Sequence, residues 1–135
     1  MVLRNRVLLL EDDTFLAPLV LGLLQRNACE VLHVPNCAEA LSIEGEFDVG
    51  VFDVELPDGS GIDAAEALLC RGVVCAAVFF SGAGDEPTVC RAENLGEFVG
   101  KTQGSGPLMS AVRRAVQRSL ATRVVAVEAT SPNSK

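Results

Sequence analysis

Residues 49–63 read VGVFDVELPDGSGID, and this stretch decides the reading of the chain. With Phe47 and Asp48 ahead of it, the first part is an apolar run broken only by Asp48 and Gly50, which has the length of a buried strand. Asp53 closes that strand. A bare carboxylate there is expensive to bury, so the dull reading, a turn or cap residue, competes with a functional one. Residues 55–61 are dense in turn formers. Ile62, Ala65, Leu68 and Leu69 then recur at helical spacing as far as Gly72. The order is strand, acid, turn and helix.

The same order repeats on both sides. Residues 6–10 form an apolar strand, followed by Glu11-Asp12-Asp13 and a helix with apolar positions Phe15/Leu16, Leu19/Val20 and Leu23/Leu24, capped by Asp13 or Thr14. Residues 29–34 read as a second strand. Asn36 with Glu39 three residues on opens a helix to about Gly45. Downstream, residues 73–80 are the most strand-like run, ending at Ser81-Gly82. Asp85-Glu86-Pro87 starts a short helix to about Leu95, and residues 97–100 form a brief fifth strand ending at Lys101. Gly106-Pro107 opens the last helix, whose apolar face is Leu108, Val112, Ala115/Val116 and Leu120. Residues 123–127 lack an obvious partner, and residues 130–135 read as a frayed tail. Five strands alternating with five helices predict an α/β domain, a doubly wound parallel sheet covered on both faces.

Composition narrows the class. The chain has 135 residues, 49% hydrophobic and 21% charged, enough for one domain with a real core. No apolar run has the length of a membrane span, and the first ten residues lead into an acidic cluster rather than a cleavage site. Net charge is −7, with neither Trp nor Tyr, which argues against a nucleic-acid surface. Residues 1–100 carry 17 acidic and 5 basic residues, whereas residues 101–135 carry 1 and 6, so the charge is segregated. Arg113, Arg114 and Arg118 lie in that basic segment, either complementing the end of the last helix or docking an acidic partner. The five cysteines, Cys29, Cys37, Cys70, Cys75 and Cys90, contain no C-x-x-C pair and are expected as small buried hydrophobes in a reducing cytoplasm. The single histidine, His33, is expected to be a packed or edge residue.

Parallel sheets bind ligands at the carboxyl ends of their strands. Those positions hold Glu11-Asp12-Asp13, Asp53, Ser81-Gly82 and Lys101. Taken singly, each has a plain role as helix cap, turn residue or solvated lysine. Together they describe one crevice. Several carboxylates in it repel one another and need a cation, and hard oxygen donors suit Mg²⁺. A hydroxyl and an ammonium opposite that cation would hold the oxygens of a phosphoryl group, and a carboxylate can accept one.

On the stretches VLLLEDD, VGVFDVELPDGSGID, VFFSGAG and EFVGK, the chain resembles the response-regulator receiver domains of two-component signalling, over roughly residues 4–120. The resemblance implies a flavodoxin-like strand order 2-1-3-4-5 with five helices, residues 1–121 as the receiver domain, and residues 122–135 as a tail or the start of a linker. It implies that Asp53 accepts phosphate from the phosphohistidine of a histidine kinase or phosphotransfer protein. Glu11, Asp12, Asp53 and the backbone carbonyl of Glu55 would hold Mg²⁺. Ser81 and Lys101 would bind phosphoryl oxygens, and Ser81 and Phe98 would form the switch. Output would pass to a downstream protein or a second copy through the face of the fourth helix, fifth strand and fifth helix. No membrane or direct nucleic-acid partner is implied, the location is cytoplasmic, and the only chemistry catalysed is the domain's own phosphorylation and dephosphorylation. Thr102 departs from the family by replacing the usual proline, commonly cis, after the lysine, and predicts a looser loop. Two other readings compete: a receiver-like adaptor working without phosphate, and a phosphatase of the haloacid dehalogenase type, in which Glu55 replaces the required second aspartate.

Overall fold

The fold is built by one alternation. In the computed structural model, which describes residues 5–82 and 84–129, strand β1 (Asn5–Leu10) buries Val7 and Leu9 on one face and Leu8 and Leu10 on the other. Successive side chains in a strand point to opposite faces, so a strand with both faces covered is apolar throughout. Strands β2 (Cys29–Val34), β3 (Phe47–Phe52), β6 (Val74–Ser81) and β7 (Gly96–Gly100) join β1 in a five-stranded parallel sheet of order β2-β1-β3-β6-β7. This is the expected 2-1-3-4-5 order. The renumbering comes from a hairpin of two-residue strands, β4 (Glu55–Leu56) and β5 (Gly59–Ser60), directly after β3.

Helices α2 (Cys37–Leu41), α3 (Gly61–Cys70) and α4 (Glu86–Glu93) cover one face, over Leu8, Leu10, Phe47, Phe52 and Phe79. Helices α1 (Leu16–Arg26) and α5 (Ser105–Ala129) cover the other, over Val7, Leu9, Val49, Val51, Val78 and Phe80. Fully burying a side chain of this kind contributes roughly 1.5–3 kcal/mol. Caps set the helix starts: Asn36 Oδ1 accepts from Glu39 N at 2.8 Å, and Asp85 Oδ1 from Thr88 N at 2.9 Å. Helix α3 ends in a Schellman motif, with Gly72 at φ +74° and Val73 N bonded to Leu68 O at 2.9 Å.

Four expectations are corrected. Helix α2 stops at Leu41 rather than about Gly45, because Ser42 turns its hydroxyl onto Glu39 O at 2.8 Å and Gly45 has φ +105°. Helix α5 continues to Ala129, since no Gly or Pro follows Pro107 before Pro132. Leu120 is not part of its apolar face but 52% exposed, and the buried position beside it is Ser119, 3.3 Å from the buried Asp48 Oδ1. Of the cysteines, Cys29 and Cys37 are buried, Cys75 is half-buried, and Cys70 and Cys90 are exposed at helical positions facing away from the sheet.

The chain turns most tightly just after β3. Gly61 N donates to Val54 O at 2.8 Å, and a Cβ at Gly61 would be driven into the Asp53 carbonyl oxygen. Around Gly72 there is open space, so a side chain there meets only the left-handed backbone penalty. Gly61→Ala is expected to cost about 3 kcal/mol and Gly72→Ala about 1 kcal/mol. Urea midpoints followed by circular dichroism would check this, and equal costs would remove the close approach at Gly61.

Candidate functional site

The register of the parallel strands brings the chemistry together. Leu10, Phe52, Phe79 and Phe98 lie in one row across the sheet. Glu11 and Asp53 each stand one residue past that row, at the ends of β1 and β3. Ser81 pairs in register with Gly100, so Lys101 emerges beside the Ser81-Gly82 turn; a Cβ at Gly82 would lie 3.7 Å from Lys101 Cδ. The four strand ends named from the sequence therefore do meet at one edge.

At the centre, Lys101 Nζ lies 3.0 Å from Glu11 Oε1 and 3.0 Å from Asp53 Oδ2. Both carboxylates are buried, Glu11 with 2% and Asp53 with 6% exposure. Their other oxygens are also bonded: Asp13 N donates to Glu11 Oε2 at 3.1 Å, and Val54 N to Asp53 Oδ1 at 2.7 Å. Burial pushes the Glu11 carboxyl up to about 7, with the charge of Asp53 adding to the rise and Lys101 and the Asp13 N–H opposing it. Burial also works against the Lys101 ammonium, but its bonds to Asp53 and Glu11 outweigh that and raise its pKa.

Asp12 completes the group from the exposed side. Oxygens of Glu11, Asp12 and Asp53 all lie within 4.8 Å of one another. Three carboxylates against one ammonium leave a negative excess in a partly desolvated crevice, and the donors are all hard oxygens. These residues fit a divalent cation of the Mg²⁺ kind. Glu55 opens the hairpin two residues beyond Asp53. Asp13 lies outside the group and holds the entry to α1, its Oδ1 accepting from Phe15 N at 2.8 Å and Leu16 N at 3.0 Å.

Phe98 is half-buried on the α4 side of the sheet, its ring 3.2 Å from where a Cβ would stand on Gly84, in the loop following Ser81. After Lys101 the backbone makes one turn of 3₁₀ helix (Lys101–Gln103), and Gln103 Oε1 accepts from Gly100 N at 2.7 Å. The Lys101–Thr102 peptide is trans. Gln103 makes this bond within the loop for which Thr102 predicts looseness. Arg114 makes a two-pronged contact with Glu97 at 2.8–3.1 Å, and Arg118 reaches the same carboxylate at 3.6 Å. These two arginines therefore hold α5 to the edge strand β7, while Arg113 lies toward α1, lining a groove with Leu23 and Met109. The expected single basic surface divides in two.

Two neighbours of the site had weak sequence signals. His33, on the edge strand β2, donates from Nε2 to the Glu11 carbonyl at 2.7 Å and so holds the backbone where the acidic pair begins. Asp58 is bonded away from the crevice, to the start of α2. Each was legible only as an edge histidine or a turn aspartate.

Comparison with known proteins agrees with this fold. The family profile described as response regulator receiver domain matches residues 7–129. Among solved structures, a signal receiver domain from Vibrio parahaemolyticus superposes with TM-score 0.82 at 23% identity, covering 91% of this chain and 98% of that one. The response regulator TrrA of Thermotoga maritima, solved with Mg²⁺ and BeF, gives TM-score 0.73 at 21% identity, covering 82% and 98%. The transcriptional regulatory protein YbdJ of Bacillus subtilis is 27% identical over 92 residues, 68% of this chain, and the match spans 41% of that relative's length. A profile match running from β1 to the end of α5, on a sheet of this order, places the chain in the response-regulator receiver domain family, the signal-accepting modules of two-component systems.

Proposed function

We propose that Asp53 accepts a phosphoryl group from the phosphohistidine of a histidine kinase or phosphotransfer protein, and that the acceptor site works with Mg²⁺. The observation that carries this reading is the Lys101 ammonium shared at 3.0 Å between Glu11 and Asp53, beside a third carboxylate. Glu11, Asp12, Asp53 and the Glu55 backbone carbonyl would hold the ion. Bound there, it would offset the negative charge of the phosphoryl oxygens next to the acidic cluster.

A carboxylate oxygen of Asp53 forms the O–P bond as the N–P bond of the donor breaks, the ring nitrogen leaving with the electron pair. Lys101 follows the new charge from Glu11 toward a phosphoryl oxygen, and the Ser81 hydroxyl donates to another. Movement of Ser81 shifts the chain leading to Gly84, where an added Cβ would meet the Phe98 ring. The change thereby reaches α4, β7 and α5, the face offered to a downstream protein or a second copy. The acceptor unit takes in α5, whose described side chains are buried against the sheet as far as Ser119, and a boundary near residue 121 remains part of this reading. No helix among the described residues is long and apolar enough to cross a membrane, and the unpaired cysteines suit a cytoplasmic setting. Family membership removes the phosphatase reading. The adaptor reading differs in one respect, since an adaptor would not respond to a phosphodonor.

Incubation with acetyl phosphate and Mg²⁺ should add the mass of one phosphoryl group, lost on Asp53→Asn or on chelation. An unchanged mass for the wild type overturns the proposal in favour of the adaptor. Mg²⁺ at about 100 times its Kd should stabilise the wild type by about 2.7 kcal/mol, and Asp12→Ala far less. Removing the shared ammonium in Lys101→Met leaves two buried carboxylates uncompensated, which should cost about 3 kcal/mol without Mg²⁺. Thermal melts with added Mg²⁺ should recover more stability in that variant than in the wild type.

A further inference from the structure

The hairpin after Asp53 is held from outside the crevice by one side chain. Asp58 stands at its tip, in the Pro57-Asp58 turn between β4 and β5, and Glu55 stands at its root. The Asp58 carboxylate accepts Cys37 N on Oδ1 and Ala38 N on Oδ2, both at 2.9 Å. Those two N–H groups hold its pKa below the usual carboxylate range, so it stays ionised. Across the same joint the buried Cys37 thiol donates to the Ser60 carbonyl at 3.7 Å. A Cβ on Gly59 would lie 3.7 Å from that sulfur, so the hairpin passes close beside the helix.

Helix α2 has its own cap without Asp58, because Asn36 Oδ1 already takes Glu39 N. Asp58 takes the two N–H groups that Asn36 leaves, so its bonds join the hairpin to the start of the helix. A hairpin with two residues per strand has no core to fix it. Its root is packed against Asp53 at Gly61, and its tip is tied at Asp58. The position of everything between them, Glu55 included, follows from those two attachments.

We propose that Asp58 is a positioning residue for the cation site, tying the backbone carbonyl of Glu55 through the hairpin to the start of α2. The inference rests on the Mg²⁺ reading of the crevice. Because coupling is reciprocal, a cation bound at the root must in turn steady the Cys37 and Ala38 amides at the tip.

The test is Mg²⁺ titration of the whole chain by calorimetry, with amide hydrogen exchange followed by NMR. Wild type should bind Mg²⁺ and show slowed exchange at Cys37 and Ala38. Asp58→Ala should raise the Mg²⁺ Kd roughly 10-fold, as loss of an outer support of a metal site does, and abolish that slowing at Ala38. Asn36→Ala, which weakens the same helix without touching the hairpin, should leave the Kd unchanged. Should Asp58→Ala fail to fold, Asp58→Asn, which loses the charge and one acceptor oxygen, should give an intermediate Kd. Wild-type affinity in the Asp58 variants overturns the positioning role alone. Equal weakening in the Asn36 and Asp58 variants also overturns it, by placing the effect in helix stability. Failure of the wild type to bind Mg²⁺ overturns the functional reading with it.

Discussion

Two buried carboxylates share one ammonium, and the rest of the structure is arranged to make that tolerable. Ions of either sign are costly to take out of water, and removing one partner of a buried pair leaves the other exposed to the full penalty. Glu11 and Asp53 answer this with backbone N–H groups on their remaining oxygens and with Lys101 between them. One cation for two anions still leaves a deficit of positive charge, and the raised pKa of Glu11 comes first from its burial, with the Asp53 charge adding to it. The crevice is consequently receptive to a second cation and to events that redistribute charge around Lys101.

The sheet makes the arrangement possible. Parallel strands end at the same edge, and the register row from Leu10 to Phe98 sets Glu11 and Asp53 side by side at the top of a fully apolar layer. Phe52 and Phe79, with ring centroids 5.9 Å apart, form a floor that cannot yield easily beneath the acids. The helices contribute unevenly. Helix α5 is fixed to the sheet by apolar side chains, by Ser119 on Asp48 and by Arg114 on Glu97. Helix α4 buries only Ala92 among its eight residues and leans on an exposed Arg91–Asp63 ion pair, which is worth little. The helix that follows the Ser81 loop is thus lightly held.

Much of this was legible in the sequence, for a definite reason. Strand ends are announced by the change from apolar to polar, and Glu11, Asp53, Ser81 and Lys101 each stand at such a change. Periodicity locates a helix but not its rotation against the sheet, so Leu120 was placed on the buried face of α5 where Ser119 lies. The pairing of Arg114 and Arg118 with Glu97 needed knowledge of which strand forms the edge. Asp58 read as a turn residue because its partners at Cys37 and Ala38 are 21 and 20 positions away and belong to a different helix. Gln103 was missed because an amide capping its own turn has no sequence signal distinct from a loop residue.

The separations along the chain have a consequence for folding. Lys101 meets Asp53 across 48 positions, and Glu11 joins them from the first strand. Contacts so distant are won only after most of the loop-closure entropy has been spent, and parallel pairing delays them further. In a nascent or partly folded chain that already holds strands and helices, the three charges lie on segments that have not met. The crevice therefore comes into being only with the finished fold, and no single segment of the chain carries it alone.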